Sequence, residues 1–438
     1  VNLQSRLANN RWLLNGWALA AAFSTYFFMY MFRKPFTAAA FKVTDSDAWD
    51  SKAVLVAAQV IGYFCSKLIG IRVISEMPAN KRAIVLFALI AASQAALLLF
   101  AVLPRPWHVG AIFLNGLPLG MVFGLVLGFL EGRRLTEALV AGLCASFIVA
   151  GGVAKSIGQW SLTFLVQDMS LTLKQAEQWM PFLAGCLFLV PIAISTWMLA
   201  QIPPPDERDT ESRSERAAMT GLDRKVMLQR YGFGLAAVAV FYLLVTVMRS
   251  LRDDFAPQIL TGMGATVAAG DYSWIDAQVA AFVLVVNGAT AWVVGNRAAL
   301  LISLAISLTG FGLIATALLV TEHLTPLWFM VLVGAGLYLP YVAVHTTVFE
   351  RLIALTRNRG NMGFLMYVVD SVGYLAYVVV LFVPTSALIG EQTADNAFYV
   401  NFRWYCWVGL SLSSAACVLA MLYFATLRAE QREIGAKG

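Results

Sequence analysis

Apolar positions fall in long stretches at 12–36, 53–75, 83–103, 107–130, 137–165, 177–201, 231–252, 276–296, 298–320, 325–349, 361–388 and 402–427, separated by short clusters of charge, proline or polar residues. Each stretch reaches the roughly 20 residues a helix needs to cross a hydrocarbon core of about 30 Å. The pattern therefore predicts an all-α membrane protein with twelve transmembrane helices. One long polar interruption, Ile202 to Arg230, opens on Pro203-Pro204-Pro205. It divides the chain into a six-helix bundle at 1–201, a linker at 202–230 and a second six-helix bundle at 231–438. Trp12 to Phe32 is long enough to span and is not followed by a small-residue cleavage site, so it is expected to stay as the first helix.

Composition agrees with the pattern. Of 438 residues, 60% are hydrophobic and 13% charged, against about 25% charged in a soluble domain. An ordinary soluble enzyme is excluded. The five cysteines, Cys65, Cys144, Cys186, Cys406 and Cys417, sit singly in apolar stretches and read as packing residues rather than thiol or metal chemistry. The net charge of +6 does not point to nucleic acid, because cytoplasmic loops of membrane proteins collect Lys and Arg. With the N-terminus inside, cytoplasmic segments hold 19 of these cations and outer segments about nine, which puts both termini in the cytoplasm.

The two halves share residues in order. Ala58-Gln59-Val60 recurs as Ala277-Gln278-Val279 and Glu131 as Glu350, both at an offset of 219; Arg33 recurs as Arg249 at 216 and Lys155-Ser156-Ile157-Gly158 as Asp370-Ser371-Val372-Gly373 at 215. Near-constant offsets in chain order mark an internal repeat. Two pseudo-symmetric six-helix halves with a charged linker describe the major facilitator fold, whose ligand site lies near the membrane midplane between the halves.

Charges inside apolar stretches are the informative residues, since each costs about 2.5–3.5 kcal/mol at a helix centre on insertion scales. Lys67, Lys155 and Asp370 are clear cases; a structural ion pair is the plain alternative, with Lys67 and Asp370 its natural partners. Helical spacing of 3, 4 or 7 gathers ionisable groups and tyrosines on one face: Tyr26, Tyr30 and Arg33; Gln59, Tyr63 and Lys67; Tyr242, Thr246, Arg249 and Asp253; Tyr338, Tyr341 and His345; Tyr367, Asp370, Tyr374 and Tyr377. Arg33, Lys34, Lys67, Lys155, Arg249 and Arg252 oppose Asp253, Asp254 and Asp370. The excess of cations predicts a cavity that takes an anion, and the planar fork of arginine suits phosphate or carboxylate. Helix-end charge at the outer interface is the competing reading for Arg33, Lys34, Arg249 and Arg252.

At these residues the sequence resembles the organophosphate:phosphate antiporters. The shared elements are the tyrosine-rich run from Tyr26 into Arg33-Lys34-Pro35-Phe36, the segment Gly62-Tyr63 through Ser66-Lys67 to Gly70, and Arg249 followed by Asp254 and Pro257. FRKPFTAA, SKLIGI and RSLRDDFA are also similar to a bacterial branch of the superfamily without an assigned substrate. The resemblance implies that Arg33 and Arg249 clamp phosphate, that Lys67 lines the site, and that Asp254 pairs with Lys34 and rearranges on binding. The departures are Lys155 where the family uses histidine, the missing glutamate of the eighth stretch, and the added Asp370.

The expected function is a secondary transporter of a small organic anion in a bacterial inner membrane. Its substrate-binding residues are Arg33, Lys34, Lys67, Lys155, Arg249, Tyr30 and Tyr63, with Asp254, Asp370 and His345 for coupling or ion pairing. Coupling is to phosphate exchange or to protons. A transporter-like sensor of an anionic metabolite and an exporter of amphiphiles are the alternatives. No motif for enzymatic, metal or cofactor chemistry is present. The partners expected are the anion and the lipid bilayer, with no nucleic acid, and the chain is expected to act as a monomer.

Overall fold

A computed structural model describes residues 3–41, 51–75, 77–130, 136–204, 221–293, 295–349, 351–352, 362–383 and 394–426. Glu131, Glu350, Arg133, Arg134, Arg357, Arg359, most of the central linker, and Arg428, Arg432 and Lys437 lie outside the described residues.

The described residues are helical, with short connections. In chain order the helices are α1 (Leu3–Asn9), α2 (Arg11–Met29), α3 (Lys52–Ser75), α4 (Arg82–Val102), α5 (His108–Leu119), α6 (Val122–Leu130), α7 (Thr136–Gln167), α8 (Leu173–Leu187) and α9 (Leu189–Ala200). Beyond the linker come α10 (Gly221–Asp254), α11 (Ala256–Gly262), α12 (Ala269–Gly288), α13 (Asn296–Leu319), α14 (Pro326–Ala343), α15 (Met362–Leu381) and α16 (Ala394–Thr426). Every one of the twelve apolar stretches carries helix. Seven spans are long and apolar enough to cross a bilayer, eight if α8 and α9, bent by 41°, count as one. Val285, Leu319, Val190 and Ile84 are largely exposed, as side chains solvated by lipid would be.

Local chemistry sets the helix starts. Asn10 caps α2 by accepting from the Leu13 N–H, Thr172 and Gln175 form a capping box at α8, and Thr325 caps α14 just ahead of Pro326. At its far end α2 tightens into a 3₁₀ turn, Tyr30–Phe32, and Pro35 opens a second one, Pro35–Ala38. A proline cannot continue the helical hydrogen bonding, so the chain breaks at Arg33 and Lys34.

The chain forms two compact units. The first comprises the described residues of Val1–Ser214, Asp253–Ala277 and Val378–Pro384; the second those of Glu215–Arg252, Gln278–Tyr377 and Thr385–Gly438. In the first, α3 and α5 pack backbone to backbone. A Cβ on Gly116 would overlap the Gln59 carbonyl oxygen and lie 3.0 Å from its carbon and 3.1 Å from the Tyr63 nitrogen. Small residues at such crossings let helices approach without a hydrophobic drive from water. Gly116→Val is expected to lower the unfolding temperature of the purified protein by several degrees, since overpacking a tight core costs about 1–3 kcal/mol.

The repeat is uneven in its surroundings. Lys155 and Asp370 are both buried. The glycines three residues after them pack in parallel fashion, Gly158 against Pro35 just beyond α2 and Gly373 against Thr246 of α10. Gln59, in contrast, is buried while its sequence counterpart Gln278 is exposed.

Candidate functional site

In the first unit the end of α2 leaves backbone carbonyls without helical partners, and two amide side chains take them. Gln59 Nε2 donates to the Arg33 carbonyl at 2.9 Å and to Asn115 Oδ1 at 2.7 Å. Asn115 Nδ2 donates to the Phe32 carbonyl at 2.9 Å and to Ser93 Oγ at 2.7 Å. All three side chains are buried, so this network fixes the peptide carrying Arg33.

The Arg33 guanidinium carbon stands 4.0 Å from the centroid of the Tyr63 ring and 6.0 Å from that of Tyr30. Lys67 Nζ lies 5.3 Å from the same Tyr63 ring. Tyr26 packs edge-on against Tyr30 at 5.6 Å. Four of the predicted binding residues, Tyr30, Arg33, Tyr63 and Lys67, thus form one cluster in which two cations share an aromatic ring. Cation–π attraction of about 0.5–2 kcal/mol partly offsets their confinement.

The other predicted lysines are engaged by carboxylates. Lys34 forms an ion pair with Asp254. Lys155 Nζ donates to the Asp253 carbonyl at 3.1 Å and to its Oδ1 at 3.3 Å. These aspartates close α10, so the pairs hold the start of the Asp253–Ala277 segment within the first unit. Lys52 donates to the Thr37 carbonyl and to Gln258 Oε1 at 2.9 Å, with Phe255 5.3 Å from its ammonium. Asp276 is also buried, its Oδ2 near the Gly151 and Gly152 backbone. Lys52 and Asp276 were not among the sequence candidates; they sit at the rims of their apolar stretches, where a charge reads as an interface residue.

The second unit gathers Arg249, Tyr242, Tyr338, Tyr341, His345 and Asp370. Arg249 lies 4.4 Å from the Tyr341 centroid and 5.7 Å from that of Tyr338. Tyr341 also stacks on Tyr242 at 5.4 Å and contacts His345 at 4.4 Å. Tyr242 donates to Asp370 Oδ1 at 2.5 Å. His345 occupies a π-helical turn, Val344–Val348, a form met mostly at functional sites. Arg252, fully buried, donates through Nε to the Met330 carbonyl at 3.1 Å and packs on Gly334, a holding role for α14. Tyr374 and Tyr377 of the last predicted stripe are buried; of Tyr367 the backbone alone is described.

Among the described residues, the first unit buries Arg33, Lys34, Lys52, Lys67 and Lys155 with Asp253, Asp254 and Asp276; the second buries Arg249 and Arg252 with Asp370. Among the described residues, each unit buries more cations than carboxylates. No group of three or more His, Cys, Asp or Glu side chains able to hold a metal occurs among the described residues.

A family model described as a family of unknown function, DUF5690, matches residues 35–427. The chain belongs to this family. No curated protein matches the sequence. Solved structures show what fold this DUF5690 member has. It is similar to a point mutant of the nucleoside transporter NupG at 14% identity and a TM-score of 0.61, covering 92% of this chain and 99% of that one. A bacterial homologue of the human lysosomal transporter Spinster, inward-facing and unoccupied, gives 13% and 0.62 over 94% and 97%. The D-xylose-proton symporter gives 13% and 0.62 over 93% and 96%. The fold is that of the major facilitator transporters.

Proposed function

We propose that this DUF5690 member is a secondary transporter that moves a small organic anion, a phosphorylated or carboxylated metabolite, across a bacterial inner membrane by alternating access. The observation that carries the reading is that, among the described residues, buried cations outnumber buried carboxylates in both units. Buried cations favour a negatively charged ligand, and the arginine fork suits phosphate or carboxylate. Arg33 and Arg249 are the binding cations, each held against tyrosine rings that orient its fork. Lys67, Tyr30 and Tyr63 complete the contacts around Arg33. Lys34 and Lys155, engaged by Asp254 and Asp253, serve as ion pairs in this conformation and become available to the anion if those pairs open. The chain works as a monomer with both termini cytoplasmic. An exporter of amphiphiles would need an apolar pocket, which fixed cations disfavour.

Thermal unfolding of the purified protein tests the reading against inorganic phosphate, glycerol 3-phosphate, succinate and citrate, with xylose as neutral control. An anion at about a hundred times its Kd should stabilise the folded state by about 2.7 kcal/mol. Stabilisation by xylose and by no anion would overturn the assignment of cargo.

A further inference from the structure

In the second unit α12 ends at Gly288 and passes into a 3₁₀ turn, Ala289–Trp292, which meets the π turn Val344–Val348. Asn287, Thr290 and Thr347 line this junction, 8%, 6% and 8% exposed, with Thr346 beside them. Asn287 Nδ2 donates to the Val283 carbonyl at 3.2 Å. That contact fixes the amide orientation, because an oxygen in its place would face another acceptor. Asn287 Oδ1 therefore points the other way, buried and without a hydrogen-bond partner among the described residues. Asn287 and Thr290 are three residues apart, the spacing that sets side chains on one side of a tight helical turn.

The hydroxyls at the junction have too few protons for their contacts. Thr290 donates to the Asn287 carbonyl at 2.6 Å and Thr346 to the Val342 carbonyl at 2.9 Å. Both oxygens then face Thr347 as acceptors, at 3.5 and 3.3 Å. Thr347 has one proton for the two, so at least one of these contacts sets lone pair against lone pair. Both distances exceed the about 2.7–2.8 Å usual for an O–H···O hydrogen bond. They match oxygens that share an ion: a cation held about 2.3–2.6 Å from each oxygen sets octahedral neighbours about 3.3–3.7 Å apart.

We propose that Asn287 Oδ1 and the hydroxyl oxygens of Thr290, Thr346 and Thr347 form a binding site for one sodium ion. The ion supplies the positive charge that this acceptor-rich junction calls for, and it turns the lone pairs facing one another into ligands of a common centre. The end of α12 adds to the attraction, since a helix C-terminus carries partial negative charge and unwound backbone carbonyls in membrane helices coordinate sodium. All four side-chain ligands are neutral, which suits one positive charge better than the two of calcium or magnesium, whose sites are built on carboxylates. Their close spacing suits sodium better than the larger potassium. One ion here fastens the broken end of α12 to the π turn after α14. The site involves none of the residues assigned to the anion, so it stands or falls separately from the transport reading.

Thermal unfolding of the purified full-length protein tests this in sodium, potassium and choline chloride at equal ionic strength. Sodium should raise the unfolding temperature above that in choline, because an ion that binds only the folded state stabilises it. Thr290→Val and Thr347→Val keep the side-chain shape and each remove one oxygen. In them the sodium concentration giving half the shift should rise about 10–100-fold, the usual loss when a metal site is deprived of a supporting group. A cooperative transition in choline shows that each variant is folded. Equilibrium binding of radiolabelled sodium to the wild type, expected at one ion per chain, is the second measurement and depends on no variant. A water molecule in the junction instead of an ion would leave sodium and choline equal and the label unbound, which overturns the proposal. A sodium shift unchanged in both variants overturns it as well, and so does a preference for potassium.

Discussion

Arg33→Ala and Arg249→Ala should each weaken anion binding by about tenfold to more than a hundredfold and abolish measurable uptake, while the protein remains folded in the membrane. A hydrogen bond to a charged group is worth about 1.5–3 kcal/mol, and each arginine can supply two to one phosphate or carboxylate. The fold should survive because the Arg33 backbone is held by Gln59, whose hydrogen bond to the Arg33 carbonyl does not depend on the side chain. Arg33→Lys separates charge from geometry: lysine keeps the positive charge and loses the planar fork and the stacking face. Its affinity should lie between wild type and Arg33→Ala. Labelled-anion binding beside a thermal unfolding curve measures both. Wild-type binding in either alanine variant would remove that arginine from the site.

The second large effect is on stability. Asp254→Ala leaves the Lys34 ammonium buried opposite an apolar side chain, and breaking a buried ion pair by removing one partner costs about 3–5 kcal/mol. The double variant Lys34→Met, Asp254→Leu removes both charges and should recover most of that loss, because such pairs are often replaced by apolar residues with neutral or favourable effect. A double-mutant cycle from thermal unfolding in detergent gives the coupling energy. Purely additive losses would show that the two side chains do not depend on each other. Asp253 and Lys155 offer an internal comparison, with a longer contact of 3.3 Å.

The fold was largely readable from the chain because lipid imposes a coarse rule: twelve apolar stretches, each occupied by helix. The clusters around Arg33 and Tyr341 were readable for a related reason, since Tyr30 with Arg33, Tyr63 with Lys67 and Tyr341 with His345 lie three or four residues apart, where one helix face brings them together. Spacing along one helix carries no information about partners on another. It grouped Asp253 with Arg249, yet Asp253 belongs with Lys155 in the first unit. Lys52 and Asp276 escaped notice at the ends of their stretches, although both are buried. Gln59 stood out only as part of a repeated tripeptide; its work for the Arg33 carbonyl depends on α2 breaking at that point, which Pro35 hints at and only three-dimensional contact reveals.

That break has a consequence for how the Arg33 peptide responds to acidity. The groups gripping the peptide of Arg33 are carboxamides and a hydroxyl, from Gln59, Asn115 and Ser93. None of them ionises across the physiological range, and guanidinium stays charged throughout it. The grip is therefore indifferent to acidity: the peptide of Arg33 is held in the same way across that whole range.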